Sequence, residues 1–342
     1  MKQRSFLTAG LILLTLLGGC SSVDRIQPNI ASVPESSEVK LGFSAWPGWF
    51  PWQVAQDKKI FEARKVNVKT KWFDNYNDSI AALETDKIDA NSQTLGDTIS
   101  SIAKGNDLVV VLTNDNSTGN DVIVIDEKIK SIKDLKGKRV AAEEGTVDHF
   151  LLVQALKRAG MSIKDIKFMS METSKAADAF VNGQVEAAAI FAPFTTKALK
   201  RPGSRELFSS KDFPGLISDH LVFKRKFVNQ YPEKVQSIVD SWFDTIKYIN
   251  NSANIKESNI IMAKRAGVNM AEYNDYVDGT KIFTIEENVE AFKPGNDSTY
   301  LSKTAAETSK FLFENGLTKT KVDTSRIFDD RFVRNNATQM TK

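Results

Sequence analysis

Five short segments of the chain combine residue types that bind small molecules without covalent chemistry. They supply aromatic rings, hydroxyls, carboxyls and glycines, and they lie at 44–50, 93–97, 143–146, 192–195 and 218–220. The sequence shows neither a Ser-His-Asp order nor a P-loop glycine pattern, the arrangements typical of nucleophilic catalysis and phosphate binding. We therefore expect reversible binding and no enzymatic activity.

The first of these segments is rigid and aromatic. Ser44–Trp52 holds three of the chain's five tryptophans, together with prolines and a glycine. Rigid aromatic loops give contact area at low entropic cost, so Trp46 and Trp49 are predicted to line a cleft. The alternative is a hydrophobic clamp that holds the first helix to the core. For Trp52, which already lies on that helix, both interpretations stay open.

Two further segments suit an anionic group at a helix N-terminus. Thr94 and Asp97 follow a short predicted strand and enter a helix, where free backbone N–H groups attract anions. Asp97 is alternatively a plain N-cap. Glu143, Gly145 and Thr146 form a similar turn, in which glycine permits close backbone approach. Gly145 and Thr146 are the strongest anion-binding candidates, and an ordinary glycine turn with a threonine cap is the alternative.

The charges in these segments argue against a bare anion. Asp97, Glu143, Glu144 and Asp219 are present, but no Arg or Lys accompanies them, although Arg is the usual partner of an anion. This favours a zwitterion, with its acidic group on helix N-termini and its amine on a carboxylate, or a neutral-to-cationic heterocycle stacked on tryptophan. Asp219 either pairs with a ligand amine or belongs to a hinge hydrogen-bond network. His149 is expected to be a packing or surface residue.

Alternating strands and helices are predicted to position these segments. Apolar runs and period-two alternation indicate strands, and apolar residues three or four apart indicate helices. The predicted strands are 39–43, 66–72, 88–91, 108–113, 122–125, 139–142, 166–171 and 187–191. The predicted helices are 51–60, 77–83, 97–102, 131–137, 146–159, 174–182, 232–250, 253–266 and 301–315, so the chain becomes mostly helical after residue 220. This order predicts an α/β fold of open, mostly parallel sheets flanked by helices, with the five segments meeting in one cleft.

Composition narrows the class of protein further. The chain has 342 residues and a formal net charge of +3, and a nearly neutral body argues against nucleic-acid binding. The single cysteine excludes an internal disulfide and a cysteine-based zinc site. His149 and His220 are far apart in sequence and make a poor metal set. We expect no metal and no cofactor.

The N-terminal residues have the layout of a secretory signal. Lys2 and Arg4 precede the apolar run Phe6–Leu17, which is too short to span a bilayer. The segment Leu17-Gly18-Gly19-Cys20 resembles a bacterial lipobox, which predicts a signal peptide at 1–19, an acylated Cys20 and a flexible polar tether over 20–37. The alternative is an ordinary signal peptide with an incidental cysteine. Removal of 1–19 leaves 323 residues, which suits two lobes.

Two motifs carry a resemblance to a known family over about residues 38–325. Lys133–Ala141 resembles the DLKGKRVA segment of periplasmic solute-binding proteins. Asn182–Ala188, followed by Phe191-Ala192-Pro193, resembles the G-x-(I/V)-(D/E)-A…W-x-P segment of the nitrate/sulfonate/taurine type of ABC-transporter substrate-binding protein, the NMT1/THI5-like branch. Phe191 stands where tryptophan is frequent in that family, and the resemblance implies that its ring faces the ligand.

The resemblance implies a two-lobed fold of the type II periplasmic-binding-protein class, with the ligand cleft between the lobes. Lobe 1 is expected to combine 38–126 with 221–342, and lobe 2 to cover 127–220. The connecting segments are expected near Val122–Lys128 and Ser218–Phe223.

The resemblance also implies a function and partners. The chain is expected to be a monomeric, lipid-anchored, extracytoplasmic receptor that closes on a sulfonate or taurine-like ligand and serves an ABC permease and ATPase. A thiamine-precursor pyrimidine, nitrate or bicarbonate are alternative ligands, and a ligand-sensing lipoprotein is an alternative role. The same fold family includes a thiamine-pyrimidine synthase, but its cysteine-rich motif is absent from this sequence.

Overall fold

Two β-sheets organise the residues that the computed structural model describes, 38–340. The strands in this part of the chain are β1 (Val39–Phe43), β2 (Val68–Trp72), β3 (Ala90–Thr94), β4 (Leu108–Ser117), β5 (Asp121–Asp126), β6 (Arg139–Ala142), β7 (Lys167–Ser170), β8 (Ala187–Phe191), β9 (Ser204–Ser209), β10 (Ser218–Lys224) and β11 (Thr280–Ile282). The predicted signal peptide, Cys20 and the tether lie outside the described residues.

The strand order confirms the α/β fold class and shows that both sheets are mixed. The first sheet has the order β11-β4-β10-β3-β1-β2, and the second has the order β7-β6-β8-β5-β9. The ladders β1–β2, β1–β3, β6–β7 and β6–β8 are parallel, as predicted. However, β10 lies antiparallel between β3 and β4, and β5 lies antiparallel between β8 and β9. The two inserted strands are those that follow the connections between the sheets.

Sheet membership corrects the expected lobe boundaries. Strand β5 pairs within the second sheet and β10 within the first, so the chain crosses at 118–120 and returns through 210–217. The expected crossings at 122–128 and 218–223 are therefore wrong, because 122–126 belong to β5 and 218–223 belong to β10. Below, the first lobe means 38–117 with 218–340, and the second lobe means 121–209. An apolar run predicts a strand but does not indicate which sheet receives it.

Helices cover the sheets, and in the described range none is long and apolar enough to cross a membrane. They are α1 (Pro51–Asp57), α2 (Ile60–Ala63), α3 (Tyr76–Glu84), α4 (Leu95–Ala103), α5 (Val147–Arg158), α6 (Thr173–Val181), α7 (Phe194–Leu199), α8 (Arg225–Gln230), α9 (Pro232–Ile249), α10 (Ile255–Ala266), α11 (Met270–Val277), α12 (Ile285–Ala291), α13 (Leu301–Glu314) and α14 (Arg331–Met340).

Some element boundaries differ from the prediction for identifiable reasons. The predicted helix 51–60 is interrupted because Lys59 adopts a left-handed conformation, with φ of 56°. Helix α3 is capped by Asn75, whose side chain accepts a hydrogen bond from the Asp78 N–H at 3.3 Å, and not by Asn77 or Asp78. Strand β3 extends to Thr94, so helix α4 begins directly after it. The mostly helical C-terminal part also contributes β10 and β11, and β9 carries too little apolar pattern to be predicted.

Candidate functional site

A small cavity lies between the two lobes. Both lobes and the second connection line it, through Trp46, Trp49, Tyr76, Thr94, Asp121, Val147, Phe191, Ile217 and Asp219. Five of the residues singled out from the sequence are therefore brought together here: Trp46, Trp49, Thr94, Phe191 and Asp219.

Aromatic rings form the walls of this cavity. The ring of Trp46 lies 6.2 Å from Phe191, edge to face, and Trp49 lies 5.3 Å from Tyr76. Tyr76 in turn meets Phe191 edge to face at 6.3 Å. A short 3₁₀ turn, Pro47–Trp49, places the two indoles beside this cavity. Because Phe191 comes from the second lobe, the aromatic contacts join the two lobes.

Trp52 has the alternative role, that of a core clamp. Its ring lies 4.6 Å from Trp242 of α9 and 6.0 Å from Phe61, and none of its surface is exposed. Its indole N–H donates to Ser92 Oγ at 2.8 Å. Trp52 therefore fixes α1 to the core of the first lobe. It lies at the C-terminal end of the aromatic segment and does not line the cavity.

Three carboxyl groups cluster where the chain passes between the lobes. Asp115 and Asp219 are paired on the neighbouring strands β4 and β10, and Asp121 opens β5 in the second lobe. Asp115 Oδ1 accepts a hydrogen bond from Trp46 Nε1 at 2.8 Å. Burial raises the pKa of Asp115 and of Asp121 to about 7. Burial, and then the neighbouring Asp115, raise the pKa of Asp219 well above its usual range.

Thr94 and Asp97 form a hydrogen-bonded helix cap. Thr94 Oγ1 accepts from the Asp97 N–H at 3.0 Å and donates to Asp97 Oδ2 at 2.8 Å. The Tyr76 hydroxyl also donates to Asp97 Oδ2, at 2.8 Å, and accepts from the Thr94 N–H at 2.9 Å. Burial raises the pKa of Asp97 to about 6 against the effect of these hydrogen bonds. Thr94, and not Asp97, is thus the N-cap of α4, and Asp97 lies in the first turn of the helix and lines a neighbouring cavity.

That neighbouring cavity is also lined by Gly145 and Thr146 of the second predicted turn. Gly145 has φ of 80°, and Thr146 caps α5 while its hydroxyl donates to the Glu143 carbonyl at 2.9 Å. The cavity lies between the N-termini of α4 and α5 and is otherwise mainly apolar. His149 lines it too and stacks on Phe168 at 4.8 Å, which agrees with a packing role.

The Glu143 side chain bridges the two lobes. Glu143 Oε1 accepts from Asn77 Nδ2 of the first lobe at 2.7 Å, and Oε2 accepts from the N–H and hydroxyl of Thr173 at 3.2 and 3.0 Å. Burial raises the pKa of Glu143 despite these donors. Its oxygens are already occupied, so Glu143 is a latch between lobes in this arrangement.

Sequence reasoning missed Tyr76, Asp115 and Asp121. Asp115 and Asp121 lie just beyond the apolar runs 108–113 and 122–125, where the strands continue with polar residues. Polar side chains at strand ends next to a lobe crossing were the available signal. Tyr76 is the first residue of α3, and an aromatic ring at a helix N-terminus carried no signal without the tertiary structure.

Residues 32–263 match the NMT1-like family, and the chain belongs to that family. An Escherichia coli (strain K12) protein, provisionally named an aliphatic sulfonates-binding protein, is 28% identical over 91% of this chain and 94% of its own length. The taurine-binding periplasmic protein of the same strain is 25% identical over 83% and 89%. The structure of the alkanesulfonate-binding protein SsuA from Xanthomonas axonopodis pv. citri, bound to MOPS, has a TM-score of 0.73 at 19% identity and covers 87% of this chain and 100% of its own. The fold is therefore that of periplasmic binding proteins.

Proposed function

We propose that this chain is the extracytoplasmic solute-binding receptor of an ABC importer. It holds a small organic ligand between its lobes and delivers it to a membrane permease and the associated ATPase. The observation that carries the proposal is the cavity whose walls come from both lobes, with Trp46 and Trp49 on one side and Phe191 on the other. Family membership and binding-protein relatives support it.

Hinge closure is the mechanism that this geometry supports. The lobes are joined by two segments, 118–120 and 210–217, so a small change in both rotates one sheet against the other. Closing brings Phe191 against Trp46 and Asn77 against Glu143, and it surrounds the ligand with buried groups. Binding is reversible, and discrimination between ligands comes from the polar groups that each ligand satisfies.

A sulfonate or taurine-like molecule is the first ligand class that we propose. The support is the similarity to relatives named for aliphatic sulfonates and taurine, together with two helix N-termini that border the neighbouring cavity. A thiamine-precursor pyrimidine is the second candidate, because four aromatic side chains enclose the cavity and suit a flat ring. Nitrate and bicarbonate fit less well, since neither cavity is lined by Lys or Arg.

The surroundings of the buried residue His220 support binding over catalysis. His220 Nε2 lies 2.9 Å from Ser218 Oγ, and Nδ1 lies 3.2 Å from Thr113 Oγ1. Burial lowers the pKa of His220 to about 3, so the ring is neutral and a weak base. These hydrogen bonds join His220 to β4 and β10 within the first lobe, and we propose no enzymatic step.

Small-angle scattering with and without ligand tests the receptor function. The radius of gyration of the purified chain is expected to fall on saturation with a ligand that binds between the lobes. Trp46→Ala enlarges the cavity and removes the interlobe contact with Phe191, so it is expected to abolish both binding and compaction. Trp52→Phe, in the core clamp, is the matched control and retains both. Ligand binding without any compaction would contradict the proposal.

We further propose that acylated Cys20 anchors the mature protein to a bacterial membrane and that residues 20–37 act as its tether. The support lies in the sequence: a basic start, a short apolar run and small residues before the single cysteine.

A further inference from the structure

We propose that the ligand carries a cationic nitrogen, which lies between Asp121 of the second lobe and Asp219 of the first. The inference rests on the proposed receptor function and names the charge of its ligand. An alkanesulfonate without an amine is then a poor ligand, whereas an amine-bearing sulfonate or a protonated nitrogen heterocycle is a good one.

Carboxyl groups dominate the charge of the interlobe surface. Six carboxyl groups from both lobes are buried at or beside the cavities, and each of them has a raised pKa: Asp97, Asp115, Asp121, Glu143, Asp148 and Asp219. No Lys or Arg is among the described residues that line the interlobe cavity, the neighbouring cavity or the small cavity beside Glu143. Buried carboxylates need a counter-charge, and the protein does not supply one here.

Two atoms of residues that line the interlobe cavity lack hydrogen-bond partners. Asp121 is 1% exposed and Trp49 is 3% exposed, and both line the cavity. Asp121 Oδ2 and Trp49 Nε1 have no hydrogen-bond partner in the structure. An unpaired buried acceptor or donor costs about 1–3 kcal/mol, so a ligand group that pairs with either atom removes that cost. Asp121 Oδ2 lacks a hydrogen-bond donor, which a cationic nitrogen supplies. The indole N–H of Trp49 lacks an acceptor.

Two carboxyl groups lie at the helix N-termini beside the neighbouring cavity. Asp97 lies in the first turn of α4, and Asp148 lies in the first turn of α5. Burial raises the pKa of both carboxyls. Glu143 of the second lobe adds to the rise at Asp97, and Asp97 of the first lobe adds to the rise at Asp148. A sulfonate at these helix N-termini therefore requires that the two carboxyls stay protonated, which their raised pKa values favour.

The carboxyl groups between the lobes also affect how readily the lobes close. Asp219 and Asp115 are neighbours on adjacent strands of the first lobe, and Asp121 faces them from the second lobe and raises the pKa of Asp219. Closing the empty protein therefore brings like charges together or requires protons. A cation between Asp121 and Asp219 replaces those protons, and the surrounding rings of Trp46, Trp49 and Tyr76 favour a cation as well. The ligand charge thus holds the lobes together.

Three two-carbon probes of different charge test the inference on the full mature chain. Ethanesulfonate is an anion, taurine a zwitterion and ethanolamine a cation, and calorimetry gives the dissociation constant of each. We expect taurine or ethanolamine to bind at least tenfold more tightly than ethanesulfonate. Asp121→Asn and Asp219→Asn remove one negative charge each and are expected to weaken the amine probes at least tenfold without weakening ethanesulfonate. Asp240→Asn, a buried aspartate that pairs with Asn336 outside the cavities, is the matched control.

The outcomes separate the two proposals. Ethanesulfonate binding as tightly as taurine, unchanged selectivity in both Asn variants, or absence of binding by both amine probes would each overturn the inference and leave the receptor function standing. Amine binding without compaction in small-angle scattering would contradict the receptor function and leave the charge of the ligand supported.

Discussion

At the scale of single residues, the chain offers two buried indoles whose N–H groups lack a partner. Trp49 lines the interlobe cavity, whereas Trp242 packs on Trp52 within the first lobe. The unpaired N–H of a core tryptophan lowers the stability of the protein whether or not ligand is present. At a ligand site, the same N–H gains a hydrogen bond when the ligand binds.

The comparison of Trp49→Phe with Trp242→Phe tests this difference. Both changes remove an unpaired N–H and some ring volume, so we expect similar losses of stability in the ligand-free protein, about 1–3 kcal/mol. Only Trp49→Phe is expected to weaken ligand binding, by about 1 kcal/mol or fivefold, because one hydrogen bond to the ligand is lost. Urea denaturation and calorimetry measure the two effects. Equal weakening of binding by both variants would show that the indole N–H of Trp49 does not contact the ligand.

Tyr76 is expected to support both the helix cap and the cavity wall. Tyr76→Phe leaves the Thr94 N–H and Asp97 Oδ2 each with one hydrogen bond fewer, so we expect a loss of about 1–3 kcal/mol in the free energy of unfolding. The pKa of Asp97 should rise further, because the hydroxyl donor favours the ionised carboxyl. Denaturation and NMR titration of the Asp97 carboxyl check both effects. Tyr231→Phe is the control, and an unchanged Asp97 pKa would contradict the role of the hydroxyl.

The candidate site was predictable from sequence only where residue type carried the signal. Trp46, Trp49 and Phe191 are aromatic residues in segments that follow predicted strands, and all three line the interlobe cavity. Asp115 and Asp121 were not predicted because they become neighbours of the cavity only through the pairing of distant strands. Gly145, Thr146 and Asp97 border a neighbouring cavity, and Glu143 is occupied by Asn77 and Thr173, since turn chemistry does not reveal what a loop faces.

At the scale of elements, the turn Pro47–Trp49 depends on a close approach between Gly48 and strand β4. A Cβ atom at Gly48 would collide with the Asp115 carboxyl group. Gly48→Ala is therefore expected to displace Asp115, break its hydrogen bond with Trp46 Nε1, and cost about 1–3 kcal/mol in stability as well as most of the ligand affinity. Thermal unfolding and calorimetry measure these losses.

Gly96→Ala provides the matched control for this prediction. Gly96 lies in helix α4, and the nearest atoms to its new Cβ would be 3.9 Å away, an ordinary contact distance. Alanine is also the better helix former, so this variant is expected to be neutral or slightly more stable. If Gly48→Ala behaved like Gly96→Ala, the turn would not depend on contact with Asp115.

Elements with continuous apolar runs were predictable, and their pairing was not. The runs in β1, β4, β5, β6 and β8 each contain a predicted strand, because a buried strand must be apolar. The antiparallel insertion of β5 and β10 depends on where the chain crosses between lobes. Sequence periodicity contains no information on that step, and this is the reason that the lobe boundaries needed correction.

At the scale of the whole molecule, the proposed anchor and the receptor body are separable. Cys20→Ala removes the only thiol in the chain, so metabolic labelling with palmitate and membrane fractionation are expected to lose the protein from the lipid-labelled, membrane-bound fraction. The affinity for ligand should stay unchanged, because the described residues form a unit that excludes 1–36. Palmitate labelling that persists in Cys20→Ala would contradict the anchor.

Closure of the empty protein is expected to depend on pH through the carboxyls that meet between the lobes. In the closed form the pKa of Asp97 is about 6 and that of Asp121 about 7, both raised mainly by burial from an ordinary 3.8. The groups that face Asp121 are themselves acidic, namely Asp97, Asp115, Asp148 and Asp219. The closed form thus binds more protons than an open form in which these groups are hydrated. Closure is therefore favoured at low pH and lost as the pH rises through 6–7.

The size of this effect makes it measurable. One pKa unit is worth about 1.4 kcal/mol, so a rise of about three units at Asp121 opposes closure by on the order of 4 kcal/mol at high pH, enough to shift a two-state equilibrium from mostly closed to mostly open. The radius of gyration of the ligand-free chain is expected to increase between pH 5 and pH 8, and Asp121→Asn should flatten the change. A saturating amine ligand should remove it, because the cation takes the place of the protons. A protein that became more compact with rising pH would show that the carboxyls do not control closure.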